Sequence, residues 1–591
     1  MTDYSPPLKD LRFAISELAG LDRVLACEAF ADVDADTIEQ VLTEAGRFAS
    51  DVWAPLNIPG DRAGCRVENG AVVVADGFDD AYRQFVENGW QSISGNPEYG
   101  GMGLPEMVSA AAFETWQAAN MAFSLCPLLT AGSIVAIEAH GTEDMKRAYL
   151  PKLISGEWSG TMVLTEPQAG SDLAAITTSA EPDGDRYRIR GTKIYITWGD
   201  HPLSENIVHL VLARLPDAPD GVRGISMFLV PKFLPKEDGS PGEANDLYPA
   251  SVEHKLGIHA SPTCVMTFGD NDGAIGWLVG EENRGLANMF TMMNHARLEV
   301  GIQGLAISDR ALQLAARHAR DRVQGTAPGV EGRATIVHHP DVRRMLLTIK
   351  AYVEAMRASA LYAAGLLDLR HCAGDDGERE AADARAALLT PIVKGWLTEV
   401  AQEMTSLGVQ VHGGMGFVEE TGAAQYMRDA RILPIYEGTT GIQANDLVGR
   451  KILGDEGRAM RALIAEMREL DDALGTDLQV IRDAHRAGVD ELERAVDWLV
   501  SNAAGDPNVP GSASVNLLML AGTVIGGWHM ARAALKAAEA DCVDRYGAAF
   551  CEAKVQTAKF YASHIAPRAM ALGRAATAGS DVLMEMAEDA F

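Results

Sequence analysis

At 591 residues with a net charge of −31, the chain is too long for one hydrophobic core and is expected to divide into three or four domains. Its composition, 47% hydrophobic and 23% charged, is ordinary for a soluble globular protein. The acidity excludes nucleic acid and anionic membrane surfaces as main partners, while leaving room for a local basic pocket.

Cys27, Cys65, Cys126, Cys264, Cys372, Cys542 and Cys551 are odd in number and show no CxxC spacing. A reduced, cytoplasmic protein with no structural metal is the simpler reading. The first ten residues are polar and carry prolines, without the apolar core of a signal peptide. From Leu8 to about Glu157 the pattern is mostly helical: Ile38, Val41, Leu42, Ala45 and Phe48 recur at helical spacing, as do Tyr82, Phe85, Val86 and Trp90. The glycine cluster Asn96–Gly103 reads as a turn.

Between Gly160 and Gly269 the period changes from helical to two. Tyr187–Arg190 and Lys193–Thr197 alternate around a glycine, and Ile207–Leu215, Ile225–Pro231 and Cys264–Gly269 are rich in β-formers. This predicts a compact antiparallel β-domain of roughly a hundred residues. From Asn283 to Lys451 helical periodicity returns, most clearly in Arg297–Arg320 and Val342–Leu369, with Gly374–Glu380 as an exposed acidic turn or short disordered loop. Asp455–Phe591 is again helical, with Leu463, Ile464, Met467, Leu470 and Leu474 on one face and Asn502–Ser514 as its main loop. Acidic residues outnumber basic ones there by 21 to 13, so it is no nucleic-acid arm. The longest apolar run, Val515–Trp528, is broken by Asn516, Thr523 and three glycines, and is expected to be a buried helix and not a membrane span. The predicted fold class is α+β, mainly α: 1–158 helical, 159–275 β, 276–454 helical and 455–591 an additional helical domain. A small β-domain between helical blocks suggests a cleft, where cofactors sit.

Two stretches carry chemistry. In Thr161–Asp172 a strand runs into a loop with the hydroxyls of Thr165 and Ser171, a proline and a glycine. With Tyr195-Ile196-Thr197 it would wall a flat polar ring; the alternative is a decorated turn. In Pro434–Gln443, Glu437 stands on a glycine-supported bend, and Thr440 with Gln443 reads as a capping box. The carboxylate there either complements a helix dipole or acts as a base.

Four stretches in this order and spacing resemble the acyl-CoA dehydrogenase family: Leu164–Pro167 through Gly170-Ser171-Asp172; Lys255–Ile258 with Ser261–Cys264; Gln410–Gly416; and Tyr436-Glu437-Gly438-Thr439. Asn96–Gly103 and Arg322–Gly325 match the family pattern as well. The resemblance covers residues 40 to 455 and implies FAD as cofactor. Met162, Leu164, Thr165, Gly170, Ser171, Tyr195, Ile196, Thr197 and Thr439 would contact the flavin. Arg322, Gln324 and Gln410-Val411-His412-Gly413-Gly414 would reach its pyrophosphate and ribose across a homodimer interface. Arg suits that role because its planar donors match phosphate oxygens.

Glu437 would be the general base that removes the α-proton of an acyl-CoA thioester while the β-hydride passes to the flavin, giving a trans-2-enoyl-CoA. The Glu437 N–H would face the thioester oxygen. A helix N-terminus lowers its pKa and burial under the acyl chain raises it, and burial is expected to win. Ser171, Asn294, Arg297 and Gly438 would bind substrate. For Asn294 and Arg297 a helix-surface hydrogen bond is the alternative.

Glu166 and Glu299 are rival carboxylates, and Ala296 occupies the place where some members carry theirs. His412 is read as a loop residue near the cofactor. Tyr195 stands where many relatives have Trp. The extra C-terminal domain resembles a larger bacterial subgroup that includes 3-methylmercaptopropionyl-CoA dehydrogenases and several fatty acyl-CoA dehydrogenases. The resemblance implies electron-transferring flavoprotein as acceptor, no nucleic acid and no membrane insertion. The alternatives are an acyl-CoA oxidase, or a non-catalytic nucleic-acid-binding relative like the dehydrogenase-like proteins of the alkylation response. The acidity of the chain and the presence of Glu437 speak against the last of these.

Overall fold

The computed structural model describes residues 4–591, so the start of the polar N-terminal stretch lies outside the described residues. The chain forms two compact units: one holds Glu44–Ser109 and Ala119–Glu299, the other residues 4–43, Ala110–Ala118 and Val300–Phe591.

In the first unit, the helices Ala54–Ala63 and Phe78–Glu87 and the long helices α1 (Glu106–Ala119, through Ser109) and α2 (Met121–His140) surround an aromatic core. Trp53 stacks on Phe85 at 5.2 Å and meets Phe123 at 4.7 Å, and Phe123 also touches Phe78 at 4.7 Å. A two-stranded hairpin, Arg66–Glu68 with Ala71–Val73, interrupts a region read as mostly helical. α2 is long and apolar enough to cross a membrane, but 83% of its most apolar window is buried in the protein. That is how a core helix hydrophobic all round spends its surface.

The β-domain follows: β1 (Trp158–Val163), β2 (Ser179–Asp183), β3 (Arg186–Thr197), β4 (Asn206–Arg214), β5 (Ile225–Pro231), β6 (Leu247–Val252), β7 (Thr263–Phe268) and β8 (Ala274–Leu278). The order across the sheet is β6-β7-β3-β8-β5-β4-β1, with β2 paired to both β3 and β4. Tyr187–Arg190 and Lys193–Thr197, read as two alternating runs, are one strand. The pairing is antiparallel apart from β2's single bridge to β4 and the β1–β4 pair, which is parallel from Trp158↔Asn206 to Val163↔Val211. The sequence reading did not anticipate this. A parallel pair needs a long crossover, and here the loop after β1 and the β2–β3 hairpin supply it. Ile189, Ile196, Val211, Phe228, Cys264 and Met266 form the core.

Helix α3 (Gly285–Asp321) belongs to the first unit up to Glu299 and to the second from Val300. The second unit is built on α4 (Pro340–Cys372) and α5 (Asp376–His412), which pack side by side. Gly374–Glu380 is no disordered loop. Asp375 accepts from the Glu378 N–H at 3.0 Å and caps α5, with Asp376 and Glu378 in its first turn. A run of acids read as solvated is also what a helix N-terminus prefers.

α5 is clamped around its middle. A Cβ on Gly301 or Gly304 of α3 would come within 2.7 Å of Val393 Cγ1 or Leu397 O, so only glycine allows this approach. Beyond α6 (Thr440–Asn445) lie Arg458–Arg468, α7 (Gln479–Asn502) and α8 (Val509–Ala537). Leu463, Ile464, Met467 and Leu474 are buried, as their spacing predicted, whereas Leu470, past the helix end at Arg468, is half-buried. The loop placed at Asn502–Ser514 is shorter, because α8 already starts at Val509 with Pro510 in its first turn. α8 is also long and apolar enough to span a membrane, with 67% of its window buried.

Candidate active site

In the first unit, β1 delivers the chain into the Leu164–Asp172 loop, whose anchor is Glu166. Its Oε1 accepts from Lys193 Nζ (2.8 Å), Thr178 Oγ1 (2.6 Å) and Thr178 N (3.0 Å). Its Oε2 accepts from Thr177 N (2.7 Å), Thr177 Oγ1 (2.8 Å) and Gln168 Nε2 (2.7 Å). Burial alone would raise this carboxyl, but Lys193 and the surrounding donors pull it down to about 2. Burial in turn lowers Lys193 to about 8. A carboxylate with its lone pairs spent and its proton this hard to add is an anchor and not a base.

The sign of its pH dependence follows. Because the folded value lies below the ordinary 4.5, its stabilisation is complete above that pH and is lost as pH falls through about 2. We expect native protein to lose up to about 3 kcal/mol more on such acidification than the Glu166→Gln Lys193→Met double variant. Urea unfolding followed at successive pH values checks this, and parallel acid limbs would contradict it.

Lys193 Nζ also donates to Leu164 O (2.9 Å), and Ile194 N to Thr165 O (2.9 Å), so the loop is sewn to β3. Between Ile196↔Cys264 and Lys193↔Met266 the β3–β7 register shifts. Tyr195 adopts φ +60° in this bulge and is 60% exposed. Bulges re-aim side chains in this way beside functional sites. Trp198, at φ +52°, is buried with Nε1 on Ala122 O at 3.1 Å.

Among the described residues the Thr165, Ser171 and Thr197 hydroxyls have no hydrogen-bond partner, and a Cβ on Gly170 would meet nothing within 4 Å. Uncommitted hydroxyls on the Leu164–Asp172 loop and on β3, the strand that carries the exposed Tyr195, fit a flat, polar-edged group such as a flavin. Met162 and Leu164 are half-buried. The Ile196 side chain is in the core, so only its backbone can serve a cofactor.

On α3, Arg297 is buried, its Nη1 donates to the exposed Asn294 Oδ1 at 3.2 Å, and its guanidinium lies 5.7 Å from the Phe290 ring. Glu299, also buried, has a carboxylate oxygen within 4.8 Å of ligand-type atoms of Glu106 and His295. His295 Nδ1 lies 3.4 Å from Glu106 Oε1.

In the second unit, Glu437 sits at φ +55° and Gly438 at φ +91°. Left-handed backbone is uncommon for a residue with a Cβ, and it persists where surrounding contacts impose it. Among the described residues it occurs at seven non-glycine positions, and Tyr195, Ile258 and Glu437 fall inside the sequence motifs.

The predicted capping box differs in detail. Thr439 is the N-cap, accepting from Ile442 N at 3.3 Å, while Thr440 Oγ1 donates to Glu399 Oε1 at 2.6 Å. Gln443 turns its amide to Glu437 O and Gly438 O, both at 3.2 Å. With the bend in left-handed backbone, the extended residue before the helix is Thr439, one position earlier than the pattern suggests. The Thr439 hydroxyl is therefore engaged in the cap, and the Gly438 carbonyl is taken. Tyr436 OH donates to Gln303 Oε1 at 2.5 Å, and burial, reinforced by the Glu437 charge, holds this phenol protonated well above its usual range.

Arg322 and Gln324 are exposed neighbours, with Nη2 to Oε1 at 3.5 Å, on a turn closed by Gln324 N→Ala334 O (3.0 Å). Their remaining donors suit a phosphate. In 410–414 the pattern is mixed. Gln410, Gly413 and Gly414 are exposed and Val411 is buried. His412 is buried, stacked on His318 at 4.5 Å, with Nδ1 2.7 Å from Gly408 O. Burial lowers its pKa, which keeps it a neutral structural residue. Gln303, Glu399 and Lys394 escaped the sequence reading. The signal for Lys394 was a lone charge within the otherwise uncharged run Pro391–Leu397.

Family models match along the chain: the acyl-CoA dehydrogenase N-terminal domain at 35–157, the middle domain at 161–271, the C-terminal domain at 283–452, and an acetyl-CoA dehydrogenase C-terminal-like domain at 458–587. The chain is 50% identical over 570 residues to the 3-methylmercaptopropionyl-CoA dehydrogenase of Ruegeria pomeroyi, covering 95% of this chain and 96% of the relative. It is 36% identical to the broad-specificity linear acyl-CoA dehydrogenase FadE5 of Mycobacterium tuberculosis, covering 100% of both. The fold is shared with an acyl-CoA dehydrogenase of Bacillus anthracis solved with FAD: TM-score 0.74, 20% identity, 98% of this chain and 93% of that one. The chain belongs to the acyl-CoA dehydrogenase family, FAD-dependent oxidoreductases acting on the CH–CH bond of acyl-CoA thioesters.

Proposed function

We propose that this chain dehydrogenates 3-methylmercaptopropionyl-CoA at its α and β carbons, with Glu437 as the base. The observation that carries the substrate is the 50% identity extending over 95% of the chain, through the extra C-terminal domain. The observation that supports the base is the left-handed bend at Glu437, tied down by buried donors. The four-part division at 158/159, 275/276 and 454/455 belongs to the same reading and is supported by the limits of the matching family models.

Glu437 takes the α-proton, and its backbone N–H donates to the thioester oxygen as negative charge develops there. Arg297, with Asn294 beside it, and Ser171 orient the substrate. Thr165, Ser171, Tyr195 and Thr197 would hold the flavin, and Arg322, Gln324 and the 410–414 segment, the C-terminal end of α5 and the glycines after it, its pyrophosphate and ribose. When bound, FAD would supply the hydride acceptor for the β-carbon, while this chain's residues orient the thioester and take the α-proton. Met415, Phe417 and Val418 follow the 410–414 segment at the end of α5 and are exposed, Phe417 at 88%. Such a patch beside a segment proposed to bind the cofactor supports a homodimer that covers it.

The experiment is an anaerobic titration with a panel of acyl-CoAs, followed by turnover assays with electron-transferring flavoprotein. The highest kcat/KM is expected for 3-methylmercaptopropionyl-CoA, with two chains per particle by light scattering and peroxide at background in air. A linear fatty acyl-CoA preferred by about tenfold or more, a real discrimination energy, would overturn the substrate. Stoichiometric peroxide would make the chain an oxidase.

A further inference from the structure

We propose that Lys394 and Gln443 are positioning residues for the reaction, holding the Glu437 bend in its strained form; the inference rests on Glu437 being the base. Lys394 lies in α5 where Val393 and Leu397 press on the glycines of α3, and its side chain is fully buried. Nor is there slack on the other side: a Cβ on Gly395 would come within 2.8 Å of Leu518 and 3.4 Å of Gln443. An ammonium in such a place is retained only when its donors are satisfied.

Lys394 Nζ donates to Leu433 O at 2.8 Å and to Gly438 O at 2.7 Å. These carbonyls stand at the two ends of Pro434–Glu437, so one charged group draws the ends of the bend together. Charge-assisted bonds of this kind are the stronger ones. The Gln443 amide, also fully buried, takes Glu437 O and shares Gly438 O at 3.2 Å each. Both peptide planes that follow Glu437 are therefore fixed from outside the bend. Left to itself, an L residue at φ +55° relaxes toward negative φ, and that rotation would swing the carboxylate away. Lys394 and Gln443 prevent this without touching substrate.

The test uses the FAD-loaded protein. Lys394→Met and Gln443→Leu are each compared with native protein for FAD content, kcat and KM. A readout independent of turnover is solvent-deuterium exchange at the α-carbon of an acyl-CoA analogue with sulfur in the β position, which has no β-hydride to lose. We expect α-exchange and kcat to fall together by about tenfold to a hundredfold, as for a base displaced by about 1 Å, while KM moves by less than about threefold. Native exchange in a folded, FAD-replete variant overturns the inference; if Lys394→Met does not fold, Gln443→Leu decides it. Glu437→Gln is the control. Native exchange there removes the base assignment itself, whereas a silent Glu437→Gln beside two native-like variants removes only the positioning role.

Discussion

Glu437→Gln is expected to fold, bind FAD and acyl-CoA, and turn over about 10²- to 10⁴-fold more slowly than native protein, the usual contribution of a positioned base. The amide keeps the shape of the side chain, and the donors that fix the bend act on backbone carbonyls, so the φ +55° backbone should survive. What is lost is the capacity to take a proton. The rival carboxylates are less suited. Glu166 accepts six hydrogen bonds and is held at about 2. Glu299 is buried in a grouping with Glu106 and His295, and Glu299→Gln is expected to leave the α-proton step in place. Steady-state turnover of the two variants checks this; an active Glu437→Gln with a dead Glu299→Gln would exchange their roles.

The largest expected effect on stability is that of Arg357→Met. Arg357, on α4, meets Glu114 of α1 through Nε at 2.9 and 3.2 Å and through Nη2 at 2.6 Å, and its Nη2 lies 3.5 Å from Asp309 of α3. The three side chains are 3%, 2% and 7% exposed. Burial raises the Glu114 and Asp309 carboxyls despite the guanidinium between them, and those two charges hold Arg357 firmly protonated. Removing the cation leaves two buried carboxylates facing each other, at a cost of about 3–5 kcal/mol. Denaturant unfolding should show that loss near neutral pH. It should narrow on acidification, as the stranded carboxyls take up protons, and shrink in Arg357→Met Glu114→Leu. A loss below about 1 kcal/mol, the worth of a surface pair, would contradict this account of the network.

Much of the fold was readable because it depends on local pattern. Period-two runs marked β3, and runs rich in β-formers marked β4, β5 and β7, to within a residue or two. The glycine after Glu437 marked a bend where one exists. What escaped depends on partners far along the chain. Thr439 and Thr440 are equally good caps by composition, and the choice between them goes with a bend held by Lys394 from more than forty residues away. The β1–β4 pairing joins segments separated by a hairpin, which no local period encodes. Glu166 looked like a rival base because its six donors come from β3, from the two residues before β2 and from its own loop. Tyr195 carried an aromatic signal, but its exposure comes from a bulge set by the register with β7.

The most direct measurement is a crystal structure of the FAD-bound protein with the β-sulfur acyl-CoA analogue in place. A Glu437 carboxylate oxygen about 3–3.5 Å from the α-carbon, with the Thr165 and Thr197 hydroxyls against the flavin, is the predicted result. An α-carbon met by Glu299, or by no carboxylate, would contradict it.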